Sequence, residues 1–219
     1  MMDDFFGGFF IFVLVCCLPP LAIGGPIGFV LYRNKQRREG SLAIANALGL
    51  QPTAKAKQMQ WYEGKLGNGR LAAYLPIIFK RSYYDHEGRR RGTHRSAARL
   101  VVEVKRKRPL EANIFRHEKW SEKKASLSSF ETAFVAKNGA KLTSSQQAAL
   151  LAFAQQNPGT LWLGDRAGAS TDVFNAPEVL AGATSFLLHE YQVVNPSPEE
   201  VQVKTAELSQ LAQLFDEGF

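Results

Sequence analysis

The sequence predicts an α+β protein, in which an N-terminal single transmembrane helix is followed by an antiparallel sheet covered by C-terminal helices. Three observations predict this architecture. An uncharged stretch runs from Phe5 to Tyr32, short apolar segments separated by turn signals fill the middle of the chain, and helix-capping patterns recur in the last third. With 219 residues, the chain has room for one anchor and one domain.

Residues 5–32 are predicted to be a transmembrane anchor. These 28 residues contain no charged side chain, and as a helix they would span about 42 Å, more than the roughly 30 Å of a bilayer core. A cleaved signal peptide begins with basic residues, whereas this chain begins Met1-Met2-Asp3-Asp4. A lipoprotein needs a small residue before its modified cysteine, but Val15 precedes Cys16. A buried core helix seldom contains so long an uncharged run.

The charges that flank the segment predict its orientation. Two aspartates precede it, whereas four basic residues follow it closely, at Arg33, Lys35, Arg37 and Arg38. Because basic residues favour the cytoplasmic side, the N-terminus is expected outside and everything after the anchor in the cytoplasm. The predicted location is the plasma (inner) membrane.

The rest of the chain is predicted to comprise a basic juxtamembrane segment with a linker, residues 33–58, and a cytoplasmic α+β domain, residues 59–219. Within the first part, Ser41 is expected to cap a short helix over Leu42–Leu48 that ends at Gly49.

The middle of the chain is predicted to be rich in strands. Gly67-Asn68-Gly69 is a tight-turn signal between two strands of a hairpin, and Pro76 indicates an edge position or a bulge. Polar residues 81–96 are predicted to form a loop. The predicted strands are Met59–Leu66, Arg70–Phe79, Ala98–Val104, Leu110–Phe115, Phe130–Ala136 and Thr160–Leu163.

Three helices are predicted in the last third. The first begins at Thr143 or Ser144 and ends at Gln156, and the second runs from Asn175 to Tyr191. The third begins at Ser197. Its expected apolar stripe is Val203, Leu208, Leu211, Leu214 and Phe215.

The run Phe130-Glu131-Thr132-Ala133-Phe134-Val135, followed by a helix and then by Leu161-Trp162-Leu163, resembles a pattern in uncharacterised bacterial membrane-anchored proteins. In those proteins an N-terminal anchor precedes a β-rich cytoplasmic domain with a glycine-bearing first hairpin. The resemblance covers about residues 42–216 and rests on spacing and hydrophobicity. It implies a similar architecture and brings no catalytic residues, because that group has no known activity.

Charge is distributed very unevenly along the chain. Residues 1–124 contain 23 Lys/Arg against 10 Asp/Glu, whereas residues 125–219 contain 4 against 10. A basic surface near a membrane attracts anionic headgroups, and basic runs among aromatic residues can also bind nucleic acid. The predicted anion-binding residues are Arg33, Lys35, Arg37, Arg38, Arg89, Arg90, Arg91, Arg95, Lys105, Arg106, Lys107 and Arg108. A merely solvated basic face is the alternative interpretation.

Motifs for catalysis, metals and cofactors are not found in the sequence. Asp85, His86, Glu87 and His94 could suggest a metal cluster, but four arginines nearby would repel the ion. Ser170 lacks the spacing of an activated serine, and no glycine-rich loop precedes a Lys-Ser/Thr pair. We therefore predict no cofactor, no metal and no catalytic residue, and an enzyme is the less favoured class.

The leading functional hypothesis is a non-enzymatic accessory or structural subunit of a larger membrane assembly, whose cytoplasmic domain docks on a partner. The alternative is a membrane-tethered sensor or binding module for an anionic ligand. The expected partners are the bilayer, another membrane protein and anionic lipid, with nucleic acid the least favoured.

Overall fold

The computed structural model describes residues 18–53, 60–84, 90–110, 113–116, 129–137, 142–165, 182–193 and 195–217. The chain divides into two compact units, residues 1–42 and residues 43–219. The described part of the first unit belongs to helix α1 (Leu18–Leu48). Residues 5–17 of the predicted anchor lie outside the described residues. Within the described ranges, no helix has the length and apolar character that crossing a membrane requires.

Helix α1 continues without a break through Gly40 and Ser41, so the predicted helix start at Ser41 is wrong. A glycine inside a helix costs only about 1 kcal/mol relative to alanine, and good helix formers flank this one on both sides. The predicted end at Gly49 is confirmed, with φ at +74°. The N–H groups of Gly49 and of the next residue donate to the carbonyl groups of Asn46 (3.0 Å) and Ala45 (2.8 Å), which is the usual closure of a helix on a left-handed residue.

Eight strands form one antiparallel sheet in the order β1-β2-β3-β4-β8-β7-β5-β6. The strands are β1 (Gln51–Pro52), β2 (Tyr62–Lys65), β3 (Leu71–Tyr84), β4 (Arg90–Val104), β5 (Asn113–Arg116), β6 (Val135–Lys137), β7 (Thr160–Asp165) and β8 (Ser185–Gln192). Three further helices are described: α2 (Phe130–Ala133), α3 (Ser144–Gln156) and α4 (Pro198–Gln213). The predicted α+β class, antiparallel sheet and C-terminal helices are therefore confirmed.

The main core lies between one face of the sheet and the helices. Strand residues Leu100, Leu163 and Leu187 point into it, as do Ile44 at the end of α1 and Leu208 of α4. Helix α4 packs on β4 and β8, and α3 packs beside α4. A smaller cluster around Val101, Trp162 and Leu188 lies on the opposite face of the sheet.

Both C-terminal helices begin at the predicted caps. Thr143 accepts a hydrogen bond from the backbone N–H of Gln146, whose side chain in turn accepts from the Thr143 N–H. Ser197 accepts from the Glu200 N–H ahead of the proline at the first helical position. The start of each helix therefore follows from local capping chemistry.

The predicted stripe of α4 is partly wrong, because Val203 and Leu214 are 57 % and 50 % exposed. The buried side of α4 includes Thr205 and Ser209 instead. Thr205 donates its hydroxyl hydrogen to the carbonyl of Val201 at 2.7 Å, so this polar residue enters the core with its donor bonded. Apolar periodicity in the sequence does not identify buried polar positions of this kind.

Strand β8 occupies residues that were predicted to lie in a helix ending at Tyr191. Seven of its eight residues are buried, because β8 lies in the sheet between β4 and β7 and is covered on both faces. A strand buried on both faces loses the polar alternation that identifies strands, and its apolar run then matches helical spacing by chance. The earlier part of the predicted helix lies outside the described residues, apart from residues 182–184.

Two further predictions are corrected. The predicted strand Phe130–Ala136 is a single helical turn, α2, followed by the short strand β6. Ser129 caps this turn by accepting from the backbone N–H of Thr132, so a local cap outweighs the strand propensity of the phenylalanines. The predicted loop 81–96 is largely β-hairpin, because β3 reaches Tyr84 and β4 begins at Arg90.

Residues 216 and 217, which follow helix α4, bind the segment that follows the C-terminal end of β4. Arg70, which is 2 % exposed, binds both carboxylate oxygens of Asp216 at 3.0 and 2.6 Å. The same carboxylate accepts from the Lys105 N–H at 2.7 Å, and Arg106 pairs with Glu217 at 2.6 Å. These contacts connect the β2–β3 turn, the end of β4 and the chain after α4 through bidentate, charge-assisted bonds.

Candidate functional site

The predicted anion-binding residues fall into three groups in the structure. The first group lies on α1, where Arg33, Lys35 and Arg38 are exposed and Arg37 is partly buried. The guanidinium carbon of Arg33 lies 5.6 Å from the centre of the Phe29 ring. Lys35 approaches Glu39, one turn later, at 3.9 Å, an exposed pair that adds little stability.

The second group, Lys105–Arg108, follows the end of β4. Lys107 and Arg108 are exposed. Arg106 donates to the Phe215 carbonyl at 3.0 Å as well as pairing with Glu217. Hydrogen bonding from the Lys107 N–H lowers the pKa of the Glu217 carboxyl, which keeps that partner charged. Arg106 therefore holds the C-terminal segment, and the exposed charge of this group comes from its neighbours.

The third group lies near the start of β4, at Arg90, Arg91 and Arg95, whereas Arg89 lies outside the described residues. Arg95 and Lys105 are separated by about 30 Å along an extended strand. The structure therefore does not bring the second and third groups into one surface, although the sequence places them close together.

The third group belongs to a two-stranded projection that we call the β3–β4 ribbon, residues 78–84 and 90–96. Strands β3 and β4 pair from Ala72↔Val102 to Tyr84↔Arg90. Strand β2 pairs with β3 only as far as Tyr74, and β8 pairs with β4 only from Ala97 onward. Seven residue pairs thus extend beyond the sheet, a length of about 23 Å, and no other described strand pairs with them.

Pro76 lies where the pairing with β2 has already ended, which confirms the predicted edge position. A proline has no N–H to offer a neighbouring strand, so it is tolerated at an edge. From this point β3 continues with β4 as its described neighbour.

The register divides the ribbon into two faces, because directly opposed residues in an antiparallel pair lie on the same face. The pairs Phe79↔Arg95, Arg81↔Thr93 and Tyr83↔Arg91 define the arginine face. The pairs Ile78↔Ser96, Lys80↔His94, Ser82↔Gly92 and Tyr84↔Arg90 define the lysine face. Each face thus combines basic and aromatic residues, and the described ribbon contains five basic residues and no acidic one.

A second candidate site, which sequence reasoning missed, surrounds His189 in β8. This side chain is fully buried. Its ring stacks on Tyr191 with centroids 5.1 Å apart and meets the edge of Phe153 at 5.3 Å. Among the described residues, neither imidazole nitrogen forms a hydrogen bond. The sequence feature that could have identified this site is a histidine inside the mainly apolar residues 186–191. Because these residues were predicted to be helical, the position of His189 in the core was not expected.

The environment of His189 keeps the imidazole neutral. Burial lowers the pKa of His189 to about 4, and the positive charge of Lys204 acts in the same direction. The carbonyl groups of Pro158 and Asn157 oppose this shift, and the charge of Arg116 adds to it. At neutral pH the ring is therefore uncharged, because burial disfavours its charged form.

Lys204 closes this cluster from the side of helix α4. Its ammonium group donates to the side-chain oxygen of Asn157 at 2.5 Å and lies 5.8 Å from the centre of the Tyr191 ring. Burial raises the pKa of the Tyr191 hydroxyl, and the charge of Glu200 raises it further. Both titratable rings are thus held in their neutral forms inside the core.

Another largely buried ion pair lies within the domain. Arg99 donates to Glu190 at 2.6 Å through its terminal nitrogen and at 2.8 Å through Nε, on the sheet face opposite the helices. Among the described residues, no group of three His, Cys, Asp or Glu side chains could hold a metal ion. The β3–β4 ribbon is the candidate functional site that the described strand pairing favours, since its backbone extends beyond the pairing of β2 and β8.

Comparisons with known proteins give no relative: no protein-family model, no curated protein and no solved structure matches the chain.

Proposed function

We propose that this chain is a non-enzymatic, single-pass membrane protein that serves as an accessory subunit of a larger membrane assembly. The observation that supports this most strongly is the exposure of apolar residues on α1. Phe29, Leu31 and Tyr32 are 60 %, 63 % and 58 % exposed, and the basic residues of the helix follow directly. Consecutive exposed apolar residues next to positive charge are typical of a helix entering a bilayer, where aromatic and basic residues mark the boundary.

The uncharged segment that contains these residues, and the charges that flank it, support the same proposal. Residues 5–32 are uncharged, and an uncharged segment of this length can span the hydrocarbon core with some tilt. The contact of Arg33 with Phe29 suits a basic side chain whose charged end reaches toward headgroups while its stem covers apolar surface. The charge difference across the segment favours an external N-terminus and a cytoplasmic domain in the plasma (inner) membrane.

The accessory role is supported by how the domain uses its buried polar groups. Arg70 pairs with Asp216 and Arg99 with Glu190, and His189 is enclosed by rings. Groups of this kind stabilise or position the fold. What projects from the sheet is the β3–β4 ribbon, and projecting two-stranded elements are suited to contact with another surface.

The accessory role predicts that the full chain leaves its native membrane together with a second protein. After extraction in a mild non-ionic detergent, the chain should migrate on native gels well above 24.3 kDa plus a micelle. One or a few other chains should accompany it at a constant ratio through two purification steps, as measured by mass spectrometry. An equally tagged, unrelated single-pass protein is the control. A chain that purifies alone, as one monodisperse species, would contradict the accessory role.

A further inference from the structure

The outer surface of helix α3 and of most of helix α4 is uncharged. In the described residues 144–156 and 202–214, every exposed side chain lacks a charge. We call these exposed residues the outer helical face: Ser144, Ser145, Ala148, Ala152, Gln155, Gln156, Gln202, Val203, Ala206, Gln210, Gln213 and Leu214. Charged residues make up 21 % of the chain and about a quarter of a typical domain, so several are expected in a set of this size.

Helices α3 and α4 lie side by side and antiparallel, which joins their exposed residues into one face. Near the start of α3, the side chain of Gln146 donates to the carbonyl of Leu214 at the end of α4, at 2.9 Å. Asn157, at the end of α3, accepts from Lys204 in the first half of α4. Along each helix the exposed positions recur every three or four residues, as one face of a helix requires. Both helices bury their opposite sides in the main core.

The outer helical face has the composition of an interface centre. Val203 and Leu214 are 57 % and 50 % exposed, and they lie about three turns apart on the same side of α4. Interface centres are depleted of charged residues compared with the rest of a protein surface. Helix propensity does not explain the depletion, because Glu, Lys and Arg favour a helix about as strongly as Gln does. The face is therefore better suited to contact than to solvation.

The absence of charge limits what the outer helical face can recognise. A partner that is selected by charge needs opposite charges to pair with, and the exposed residues of this face offer none. An uncharged surface can be covered without the cost of removing charged groups from water. The partner surface is thus expected to be uncharged as well.

A second copy of the chain meets this condition. In a two-fold dimer the same face lies on both sides of the interface, so a net charge on it would repel its copy. The outer helical face avoids that repulsion, whereas the net charge of +7 on the chain opposes close approach in general. Glutamine amides both donate and accept hydrogen bonds, so they can bond to their own counterparts. We propose that the outer helical face binds the same face of a second copy of this chain.

The size of the face indicates a reversible dimer. It contains about half as many residues as each side of a standard interface, which has roughly 20–30. A dissociation constant on the order of 10 µM suits an interface of this size, so the face is free when the chain is dilute. The dimer does not depend on the proposed anchor or accessory role, because the whole face belongs to the second compact unit.

Sedimentation equilibrium of the full chain in a density-matched detergent tests the dimer. Between about 1 and 100 µM, the protein mass should rise from 24.3 kDa toward twice that value. Because the contact is uncharged, its dissociation constant should change less than about threefold between 0.1 M and 1 M sodium chloride. A chain that remains monomeric throughout this range would refute the dimer.

Two double variants with equal charge changes locate the contact. Ser145→Glu with Gln210→Glu places one negative charge on each helix of the face, and a dimer would then contain four. Glutamate suits the first turn of α3 and replaces Gln without loss of helix propensity, so circular dichroism should show an unchanged fold. The dissociation constant should rise at least about tenfold at 0.1 M salt. Near 1 M salt, where the Debye length is about 3 Å, most of this loss should be reversed.

Gln60→Glu with Gln192→Glu is the matched control, since both residues are exposed and lie outside the helices. Its dissociation constant should stay within about twofold of wild type. Equal weakening in both double variants, or a face variant that dimerises as tightly as wild type, would overturn the assignment to this face. A monomeric wild-type chain with a co-purifying protein that only the face variant loses would assign the face to that protein instead of a second copy.

Discussion

Acidification from pH 6.5 to pH 4 should lower the free energy of unfolding by about 3 kcal/mol through His189 alone. Burial lowers the folded pKa of His189 to about 4 from 6.5. Above pH 6.5 the imidazole is neutral in both states, so it contributes no pH dependence. As the pH falls through this window, the unfolded chain binds a proton that the folded chain rejects, and stability is lost. Below pH 4 both states are protonated and the loss is complete.

The His189→Leu variant isolates this effect. At pH 7 its stability should stay within about 2 kcal/mol of wild type, since removing an unbonded polar ring offsets part of the lost packing. Urea unfolding of the full chain in neutral detergent, followed by tryptophan fluorescence, measures both proteins from pH 7 to pH 4. The variant should lose about 3 kcal/mol less than wild type over this range. An unchanged pH profile would show that His189 is not the buried neutral group.

Lys204→Met provides a matched control for the cause of the shift. The charge of Lys204 is the second-largest contribution to the lowered pKa of His189. Its removal should raise the pKa of His189 toward 6.5 and so reduce the acid-induced loss of stability. Because burial is the larger cause of the shift, most of this loss should remain. A profile steeper than that of wild type would contradict the assigned direction.

Gly159→Ala should destabilise the fold by at least about 3 kcal/mol, or prevent folding. Gly159 has φ at +142°, a conformation that residues with a side chain rarely adopt. A methyl group there would overlap the Glu190 carbonyl oxygen and lie 3.1 Å from Nε2 of His189. Since Glu190 pairs with Thr160 at the start of β7, relief of the overlap would separate two central strands.

Gly182→Ala is the matched control, because no atom of the described residues lies within 4 Å of a methyl group placed there. Its unfolding free energy should stay within about 0.5 kcal/mol of wild type. Thermal unfolding of the full chain in detergent compares the two variants. A Gly159→Ala protein as stable as the Gly182→Ala protein would mean that the loop before β7 is not packed against β8 as described.

Local signals in the sequence were sufficient for several elements. The cap at Thr143 or Ser144 located α3, Ser197 with its following proline located α4, and the Gly67-Asn68-Gly69 turn located the first hairpin. In each case the structure-forming interaction joins residues within four positions of one another. Such signals do not depend on what the rest of the chain packs against.

Elements that depend on distant neighbours were not predictable. The sequence of strand β8 predicts a helix, because the burial of this strand comes from β4 and β7, which lie far away in sequence. The prediction of a loop at residues 81–96 is wrong for a different reason. A two-stranded ribbon beyond the sheet needs no apolar face, so its sequence lacks the alternation of a half-buried strand. The sequence cannot report these sheet positions, because alternation reveals a strand only when one face is buried and the other is not.

The candidate site was predictable in composition but not in arrangement. Arg90, Arg91 and Arg95 were identified as basic residues, yet their division between two faces follows from the register of β3 and β4. Arg106 was placed in the same surface, whereas its partner Glu217 follows α4. The cluster around His189 required knowing that α3 and α4 close over β8.

Labelling with a membrane-impermeant maleimide on intact cells tests the central claim, a membrane anchor with a cytoplasmic domain, most directly. The chain has two cysteines, Cys16 and Cys17, and both are replaced by alanine. One cysteine is then introduced either as Asp3→Cys or as Gln210→Cys, an exposed position on α4. We expect labelling of the first in intact cells and of the second only after lysis, with both proteins in the membrane fraction. Labelling of Gln210→Cys in intact cells, or recovery of the chain outside that fraction, would contradict the account.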